Sequence, residues 1–242
     1  MKLIETKNYD ELSRVAAHML ISEIKAKPNC VLGLATGSTP IGTYDKLIEA
    51  YKSHEVSFAK VKSINLDEYV GISWSNTESY RYFMNEHLFD HVDIDKTNTH
   101  VPNGLAGDLD EECARYDALY DRIGPVDIQV LGIGLNGHIG FNEPGTSLSA
   151  PTHIVKLSDS TRQANSRNFT SLDAVPYKAI TLGMAGIMKA KKIVLLASGP
   201  AKRDAIEKTV FGEVDSHVPA SFLQLHPDVT IICDFALTNK KE

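Results

Sequence analysis

Continuous apolar segments alternate with helical patterns along this 242-residue chain, and this alternation is the strongest constraint on its fold. CVLGLA (30–35) and KKIVLLAS (191–198) carry apolar residues at consecutive positions. Such segments are typical of strands in a parallel sheet that is buried on both faces, because a half-exposed strand alternates apolar and polar residues. We therefore predict an α/β fold: one domain over residues 1–242, with a three-layer, Rossmann-like parallel sheet between helices on both faces.

The predicted elements follow one another in regular order. Strands are predicted at 30–35, 61–66, 126–134, 191–198 and 228–234, with a weaker candidate at 153–157. Helices are predicted at about 12–24, 41–51, 75–89, 111–123 and 201–210, the third opening with the capping-box spacing Ser75-Asn76-Thr77-Glu78. The segment from about 145 to 188 is the least regular, and we expect it to form a lid over the active site.

Charge and cysteine content limit the classes of function. The net charge is −6 and no Lys/Arg run exceeds two residues, whereas nucleic-acid binding usually leaves a basic patch. Cys30, Cys113 and Cys233 are far apart, which suits buried thiols in a reducing compartment. The N-terminal residues form no signal peptide, and no apolar stretch approaches a membrane span. We expect a cytoplasmic protein that binds neither nucleic acid nor membrane.

Residues 132–137, GIGLNG, match the G-x-G-x-x-G spacing that cradles a dinucleotide. The dinucleotide motif also requires a helix directly after its third glycine. Here Gly140, Pro144 and Gly145 follow too closely for a helix to begin. We therefore expect no dinucleotide cofactor, and the sequence indicates no other organic cofactor.

The same loop carries two side chains that suit proton transfer. His138 and Glu143 lie five residues apart in a loop that follows a predicted strand. A carboxylate bonded to one imidazole nitrogen fixes the tautomer and raises the basicity of the other nitrogen, which favours general acid/base chemistry. The alternative is a glycine-rich loop that only allows a tight turn.

Two further loops lie between a predicted strand and a helix and have features that suit an anion. In GLATGSTP (33–40), Gly37 allows close backbone approach and the helix N-terminus attracts negative charge. A simple helix cap with Pro40 near the first turn is the alternative. In SGPAKRDA (198–205), Lys202 and Arg203 lie where the helix dipole disfavours cations unless an anion binds. The alternative there is a solvated charge pair.

Two carboxylates end the strand at 61–66. Asp67 and Glu68 have three interpretations: metal ligands, a proton-abstracting base, or an acidic helix cap. Gly71 makes the cap less favoured because no helix follows directly. His87 and His91 have the i, i+4 spacing of zinc ligands but no obvious third ligand, and we predict no metal site.

Taken together, these segments resemble the glucosamine-6-phosphate deaminase family, in the family's order and over essentially the whole chain. The resemblance is carried by GLATGSTP, NLDEYVG, LGIGLNGHIGFNEPG, TRQANSR and SFLQLHPDVTIICD. That family converts D-glucosamine 6-phosphate and water into D-fructose 6-phosphate and ammonia, without zinc or an organic cofactor. The resemblance, rather than any spacing, supplies an amino sugar phosphate as the ligand.

The resemblance also implies catalytic roles. His138 matches the residue that opens the sugar ring, with Glu143 orienting it. Asp67 matches the base that takes the C2 proton and returns it to C1. Many members carry Asp where this chain has Asn136, which cannot titrate, so Asn136 is expected to contribute hydrogen bonds only.

Phosphate binding and regulation follow from the same resemblance. The implied cations are Lys202 and Arg167. The implied phosphate loop consists of Thr36, Gly37, Ser38 and Thr39. Larger members have a longer C-terminal tail and more basic residues after the NEPG loop, where an activating amino sugar phosphate binds. We therefore expect a monomer or small homo-oligomer without comparable allosteric control.

Two other functions remain open. A 6-phosphogluconolactonase shares the fold and a phosphate loop, but lactone hydrolysis requires no base for C–H abstraction. A sugar-phosphate-sensing regulator normally carries an added DNA-binding helical module, for which we expect no room in this chain.

Overall fold

The computed structural model describes residues 1–166 and 169–238. Its strands are β1 (Lys2–Glu5), β2 (Val31–Leu34), β3 (Lys62–Asn65), β4 (Asp67–Tyr69), β5 (Thr99–His100), β6 (Ile128–Gly132), β7 (His153–Lys156), β8 (Lys178–Thr181), β9 (Ile193–Ala197) and β10 (Val229–Cys233). Its α-helices are α1 (Tyr9–Ala26), α2 (Ile41–Lys52), α3 (Tyr80–His87), α4 (Leu109–Ile123), α5 (Asp159–Asn165), α6 (Met184–Met188) and α7 (Arg203–Phe211).

In the described part of the chain, seven strands form a parallel sheet in the order β1-β10-β9-β6-β2-β3-β5. Every residue of β2, β9 and β10 is buried, as their continuous apolar sequences predict. Helices flank this sheet, so the predicted α/β fold is confirmed.

Within residues 1–166 and 169–238, three strands form a second, antiparallel sheet in the order β4-β8-β7. This sheet extends from one end of the main sheet. Only Leu66 separates β3 from β4, and its carbonyl accepts a hydrogen bond from the Leu182 amide at 2.7 Å. In this sheet Asp67 lies directly opposite Thr181. The second sheet therefore places Asp67, two residues after the β3 end, against the segment that we expected to be a lid.

The segment 145–188 contains more regular structure than its sequence predicts. It holds β7, α5, β8 and α6, and the weak strand candidate at 153–157 is confirmed as β7. Its role as a lid, like the single-domain boundary at 1–242, stays a prediction.

The predicted start of the third helix is wrong. α3 begins at Tyr80, and its cap is Ser79, whose hydroxyl accepts from the Tyr82 amide at 3.0 Å. Residues 75–78 instead form a turn, in which Asn76 Oδ1 accepts from the Glu78 amide at 2.9 Å. A local Asx turn replaces the capping box because Asn competes for the same amides.

Among the residues described, none of the helices has the length and apolar character needed to cross a membrane.

Candidate active site

The four polar loops predicted from the sequence lie at one edge of the main sheet. They follow β2, β3, β6 and β9, which are neighbours in the order β9-β6-β2-β3. The carboxyl ends of parallel strands meet at the same edge, where ligands bind in open α/β sheets. This edge is therefore the candidate active site.

The loop after β6 presents His138 through two close backbone turns. The Gly134 amide donates to the His138 carbonyl at 2.9 Å, and Gly137 adopts a left-handed conformation with φ of +86°. The imidazole lies against Gly134 so closely that a Cβ atom there would overlap the ring. The glycines of the dinucleotide-like motif thus give the imidazole its space and direction, as the loop interpretation expects.

Glu143 is the centre of a hydrogen-bonded cluster. Its Oε1 lies 3.6 Å from His138 Nδ1 and accepts from the Thr161 hydroxyl at 2.6 Å. Its Oε2 accepts from Asn136 Nδ2 at 2.8 Å. Burial acts to raise the pKa of Glu143, but His138, followed by the bonds from Thr161 and Asn136, lowers it to about 2. The structure thus brings together the predicted pair His138 and Glu143, with the carboxyl group ionised near neutral pH.

Asn136 connects the two ends of this loop. Its Nδ2 donates to Glu143, and its Oδ1 accepts from the His138 amide at 3.2 Å. An aspartate at this position would have no N–H donor and would set a second negative charge beside Glu143. Asn136 therefore serves here as a neutral hydrogen-bonding bridge, consistent with the role expected from the sequence.

Asp67 lies in β4 and is only 7% exposed. Burial, followed by the charge of neighbouring Glu68, raises the pKa of Asp67 to about 8. A carboxylate in such surroundings is a strong base for its type once it is ionised. The burial and the raised pKa of Asp67 therefore suit a proton-abstracting base.

Glu68 points to the opposite side of β4 and caps α3. Its carboxylate accepts from the amides of Tyr69, Tyr80 and Arg81 at 2.9, 2.9 and 3.0 Å. The acidic cap is thus the correct interpretation for Glu68. Gly71 made this interpretation less favoured because no helix follows directly, but the capped helix begins twelve residues later. Burial raises the pKa of Glu68 to about 7, although these amide bonds act to lower it. The cap ties the position of β4, and so of Asp67, to the start of α3.

Gly140 brings the Asp67 strand and the His138 loop together. It adopts φ of +58°, and a Cβ atom there would lie 3.0 Å from Thr181 Oγ1 and 3.6 Å from Asp67 Oδ2. The next amide, of Phe141, donates to Thr181 Oγ1 at 3.1 Å. The predicted base therefore lies beside the backbone of the loop that carries the predicted acid/base pair.

The loop after β2 ends at α2, whose cap residue Pro40 makes no side-chain cap hydrogen bond. The Tyr9 hydroxyl contacts this loop instead. It accepts a hydrogen bond from the Gly42 amide at 2.8 Å and lies 3.1 and 3.0 Å from the carbonyl oxygens of Ser38 and Thr39. Gly37 adopts φ of +92° and is exposed, so no side chain covers the loop there. The Gly42 amide at the start of α2 is thus already bonded to Tyr9, and anion binding by residues 36–39 stays a prediction.

The loop after β9 directs Lys202 toward the candidate site. Its Nζ donates to the Ile133 carbonyl at 2.6 Å. The Asp234 carboxylate already accepts from the Gly199 amide at 2.7 Å and from the Ser198 hydroxyl at 2.6 Å. A carboxylate of the protein itself thus occupies the amide that precedes α7, Lys202 reaches the loop after β6, and Arg203 Nε donates to the Ala236 carbonyl at 2.9 Å. Arg167, the second predicted cation, lies outside the described residues.

The two histidines that have the spacing of zinc ligands make contacts within the protein instead. His91 Nε2 lies 2.8 Å from the Glu86 carbonyl, and the rings of His87 and Phe83 pack 4.4 Å apart. Over residues 1–166 and 169–238, no three His, Cys, Asp or Glu side chains gather as metal ligands would.

Three contributors to this edge were not predicted from the sequence: Tyr9, Thr161 and Asp234. Each reaches the site from an element distant in sequence, so no local pattern marks its contact. Thr161 alone has a local signal, since Ser158 three residues earlier caps α5, but that signal predicts a helix start and not a bond to Glu143.

Comparisons with known proteins show the family to which the chain belongs. The family model described as "Glucosamine-6-phosphate isomerases/6-phosphogluconolactonase" matches residues 5–232. A glucosamine-6-phosphate deaminase of Lachnoclostridium phytofermentans is 55% identical over 97% of this chain and 100% of its own length. The solved structure of a monomeric glucosamine-6-phosphate deaminase superposes with a TM-score of 0.95 at 49% identity, covering 97% of each chain. A 6-phosphogluconolactonase from Trypanosoma cruzi superposes with a TM-score of 0.76 at 20% identity, covering 96% of this chain and 94% of its own, and shares the fold alone.

Proposed function

The chain belongs to the family of glucosamine-6-phosphate isomerases and 6-phosphogluconolactonases, and we propose that it converts D-glucosamine 6-phosphate and water into D-fructose 6-phosphate and ammonia. The observation that carries the proposal is a buried carboxylate beside the loop that carries an imidazole–carboxylate pair. Asp67 lies beside the backbone of the loop that presents His138 and Glu143. Deamination by isomerisation requires both a base for carbon and an acid/base for oxygen, and this site offers one of each.

The first step is the opening of the sugar ring. His138 moves a proton between the anomeric hydroxyl and the ring oxygen. Glu143, ionised near neutral pH, faces its Nδ1 and stabilises the imidazolium that forms. Asn136 contributes by fixing Glu143 through a neutral amide and carries no proton itself.

The second step is the transfer of the C2 proton to C1. The aldehyde formed at C1 makes the C2 proton acidic, so a carboxylate suffices if it is held in place. Asp67 takes this proton and returns it to C1, while O1 gains a proton and the C2 amino group loses one, which gives a 2-imino ketose. Water then adds to the imine, and ammonia leaves. Each step is a proton transfer, an addition of water or the loss of ammonia, so the proposal requires no redox cofactor and no metal ion.

Substrate binding is proposed to rest on the phosphate group. The ligands proposed for it are backbone amides and hydroxyls of Thr36, Gly37, Ser38 and Thr39. Lys202 supplies a positive charge from the neighbouring loop, and we keep Arg167 as the second cation on the strength of the sequence. The segment 145–188, which carries Thr161 and Arg167, is proposed to close over the bound sugar.

We further propose a cytoplasmic enzyme that acts as a monomer or small homo-oligomer on this small molecule. The monomeric deaminase that superposes at 49% identity supports the oligomeric part of the proposal. Hyperbolic kinetics unaffected by N-acetylglucosamine 6-phosphate are expected, and sigmoidal kinetics that this compound makes hyperbolic would contradict the proposal.

Lactone hydrolysis is the alternative within this family. It needs no base for carbon, so it leaves the buried Asp67 without a role. The deciding experiment supplies the purified protein with glucosamine 6-phosphate and, separately, with 6-phosphogluconolactone. We expect equal amounts of fructose 6-phosphate and ammonia from the first, with and without a chelator, and no hydrolysis of the second above the spontaneous rate. The reverse result would support the lactonase.

A further inference from the structure

Thr161 makes a short hydrogen bond to the proposed acid/base pair from a different element. It lies in the first turn of α5, is 6% exposed, and its Oγ1 is 2.6 Å from Glu143 Oε1. Ser158 Oγ donates to the same hydroxyl at 2.9 Å and accepts from the Thr161 amide at 3.1 Å. Because Ser158 supplies a proton to Thr161 Oγ1, the proton of Thr161 itself is directed to Glu143.

The oxygen that Thr161 holds is also the one that faces the imidazole. Glu143 Oε1 lies 3.6 Å from His138 Nδ1, just beyond hydrogen-bond distance, and this nitrogen is buried with no hydrogen-bond partner among the described residues. Asn136 holds the other oxygen, Oε2. The Glu143 carboxylate therefore has one anchor within its own loop and a second anchor on α5, and the second sets how far Oε1 stands from the imidazole.

We propose that Thr161 is a positioning residue for the ring-opening step: its hydroxyl holds Glu143 in the orientation that aligns His138 and so makes the acid/base pair depend on the docking of α5. This inference rests on the proposed function of that same site. Without the hydroxyl, Oε1 loses its anchor and the carboxylate rotates about Asn136, so His138 loses its fixed partner. A hydroxyl that served only to begin α5 would affect folding and leave the imidazole unchanged.

The test compares two removals of the hydroxyl, Thr161→Val and Thr161→Ala, with Thr161→Ser, which retains it. Thr209→Val is the matched control, because Thr209 is fully buried and its hydroxyl bonds a carbonyl of its own helix, that of Ala205, at 2.7 Å. We expect either removal to lower kcat on glucosamine 6-phosphate by roughly 10- to 100-fold, the range for a hydrogen bond to a charged acceptor, with KM changed by less than about 3-fold. Thr161→Ser and Thr209→Val keep kcat within about 3-fold of the wild type.

A second readout does not depend on turnover. The ¹⁵N resonance of His138 Nδ1, assigned by comparison with His138→Gln, should shift in the two removal variants and stay in place in Thr161→Ser and Thr209→Val. Wild-type kcat and an unmoved resonance in a folded removal variant would overturn the proposal, and so would a Thr161→Ser variant as impaired as Thr161→Val. If the wild type releases no ammonia, the proposed function fails, whereas the His138 resonance still decides whether Thr161 positions the pair.

Discussion

Replacement of Asp67 by asparagine is expected to stabilise the protein at alkaline pH while abolishing its activity. Burial, together with the neighbouring Glu68 charge, raises the pKa of Asp67 from 3.8 to about 8. In the unfolded chain the carboxyl group returns to its ordinary value. Between these two pKa values the folded protein binds a proton that the unfolded chain has released, so this group makes stability fall as pH rises. Asparagine carries no such proton, and its contribution does not change with pH.

The magnitude follows from a difference of one bound proton. Each pH unit in this range costs the wild type about 1.4 kcal/mol of unfolding free energy relative to Asp67→Asn. From pH 5 to pH 8 the advantage of the variant therefore grows by on the order of 4 kcal/mol, and above pH 8 it levels off. Among the described residues, the charges of Glu68, Tyr80 and Tyr116 interact with Asp67, and all three are present in both proteins.

Urea unfolding followed by circular dichroism at each pH unit from 5 to 9 measures this difference. Asp45→Asn is the matched control, because Asp45 is exposed on α2 and the same chemical change there removes no buried carboxyl group. The difference between wild type and control should stay small over this range. A pH-independent difference between wild type and Asp67→Asn would refute the argument, because the carboxyl group would then have the same pKa in the folded and unfolded chains. The same ionisation makes Asp67 a base, so kcat/KM of the wild type should rise with pH up to about 8.

Two other substitutions test the binding loop and the acid/base loop. Tyr9→Phe removes the hydroxyl that contacts the Ser38 and Thr39 carbonyls. Steady-state kinetics should show KM for the sugar phosphate raised roughly 2- to 10-fold with kcat changed little. A kcat loss at constant KM would contradict a binding role. Gly134→Ala places a methyl group where the His138 ring lies, so kcat should fall at least about 10-fold while cooperative thermal unfolding is retained. Gly107→Ala is the control: its added methyl meets nothing within 4 Å, so kcat should not change.

The central strands were predictable because burial on both faces demands consecutive apolar residues, as in β9 and β10. The short strands were not. β1 is mostly exposed, and β4 has the sequence Asp-Glu-Tyr, so neither carries an apolar pattern. Both are defined by pairing with distant strands, β10 and β8. Tertiary context overrides local propensity at such positions.

At the candidate site, too, local contacts were predictable and contacts between distant elements were not. The spacing of His138 and Glu143 on one loop predicted their meeting, since a five-residue loop keeps its ends near each other. The cap formed by Glu68 was misjudged because a local rule looks for a helix next to the carboxylate, whereas α3 begins twelve residues away. The Thr161 bond to Glu143 spans 18 residues and depends on how α5 docks, which no spacing in the sequence specifies.

In the proposed mechanism, Asp67 moves the C2 proton of an amino sugar phosphate beside the loop that opens its ring. The most direct test supplies glucosamine 6-phosphate carrying deuterium at C2 to the wild type and to Asp67→Asn, and follows ammonia together with the position of the label. We expect the wild type to release ammonia and fructose 6-phosphate in equal amounts, with the label at C1 or in the solvent, and Asp67→Asn to move no label. Label transfer by Asp67→Asn at the wild-type rate would contradict the role proposed for Asp67.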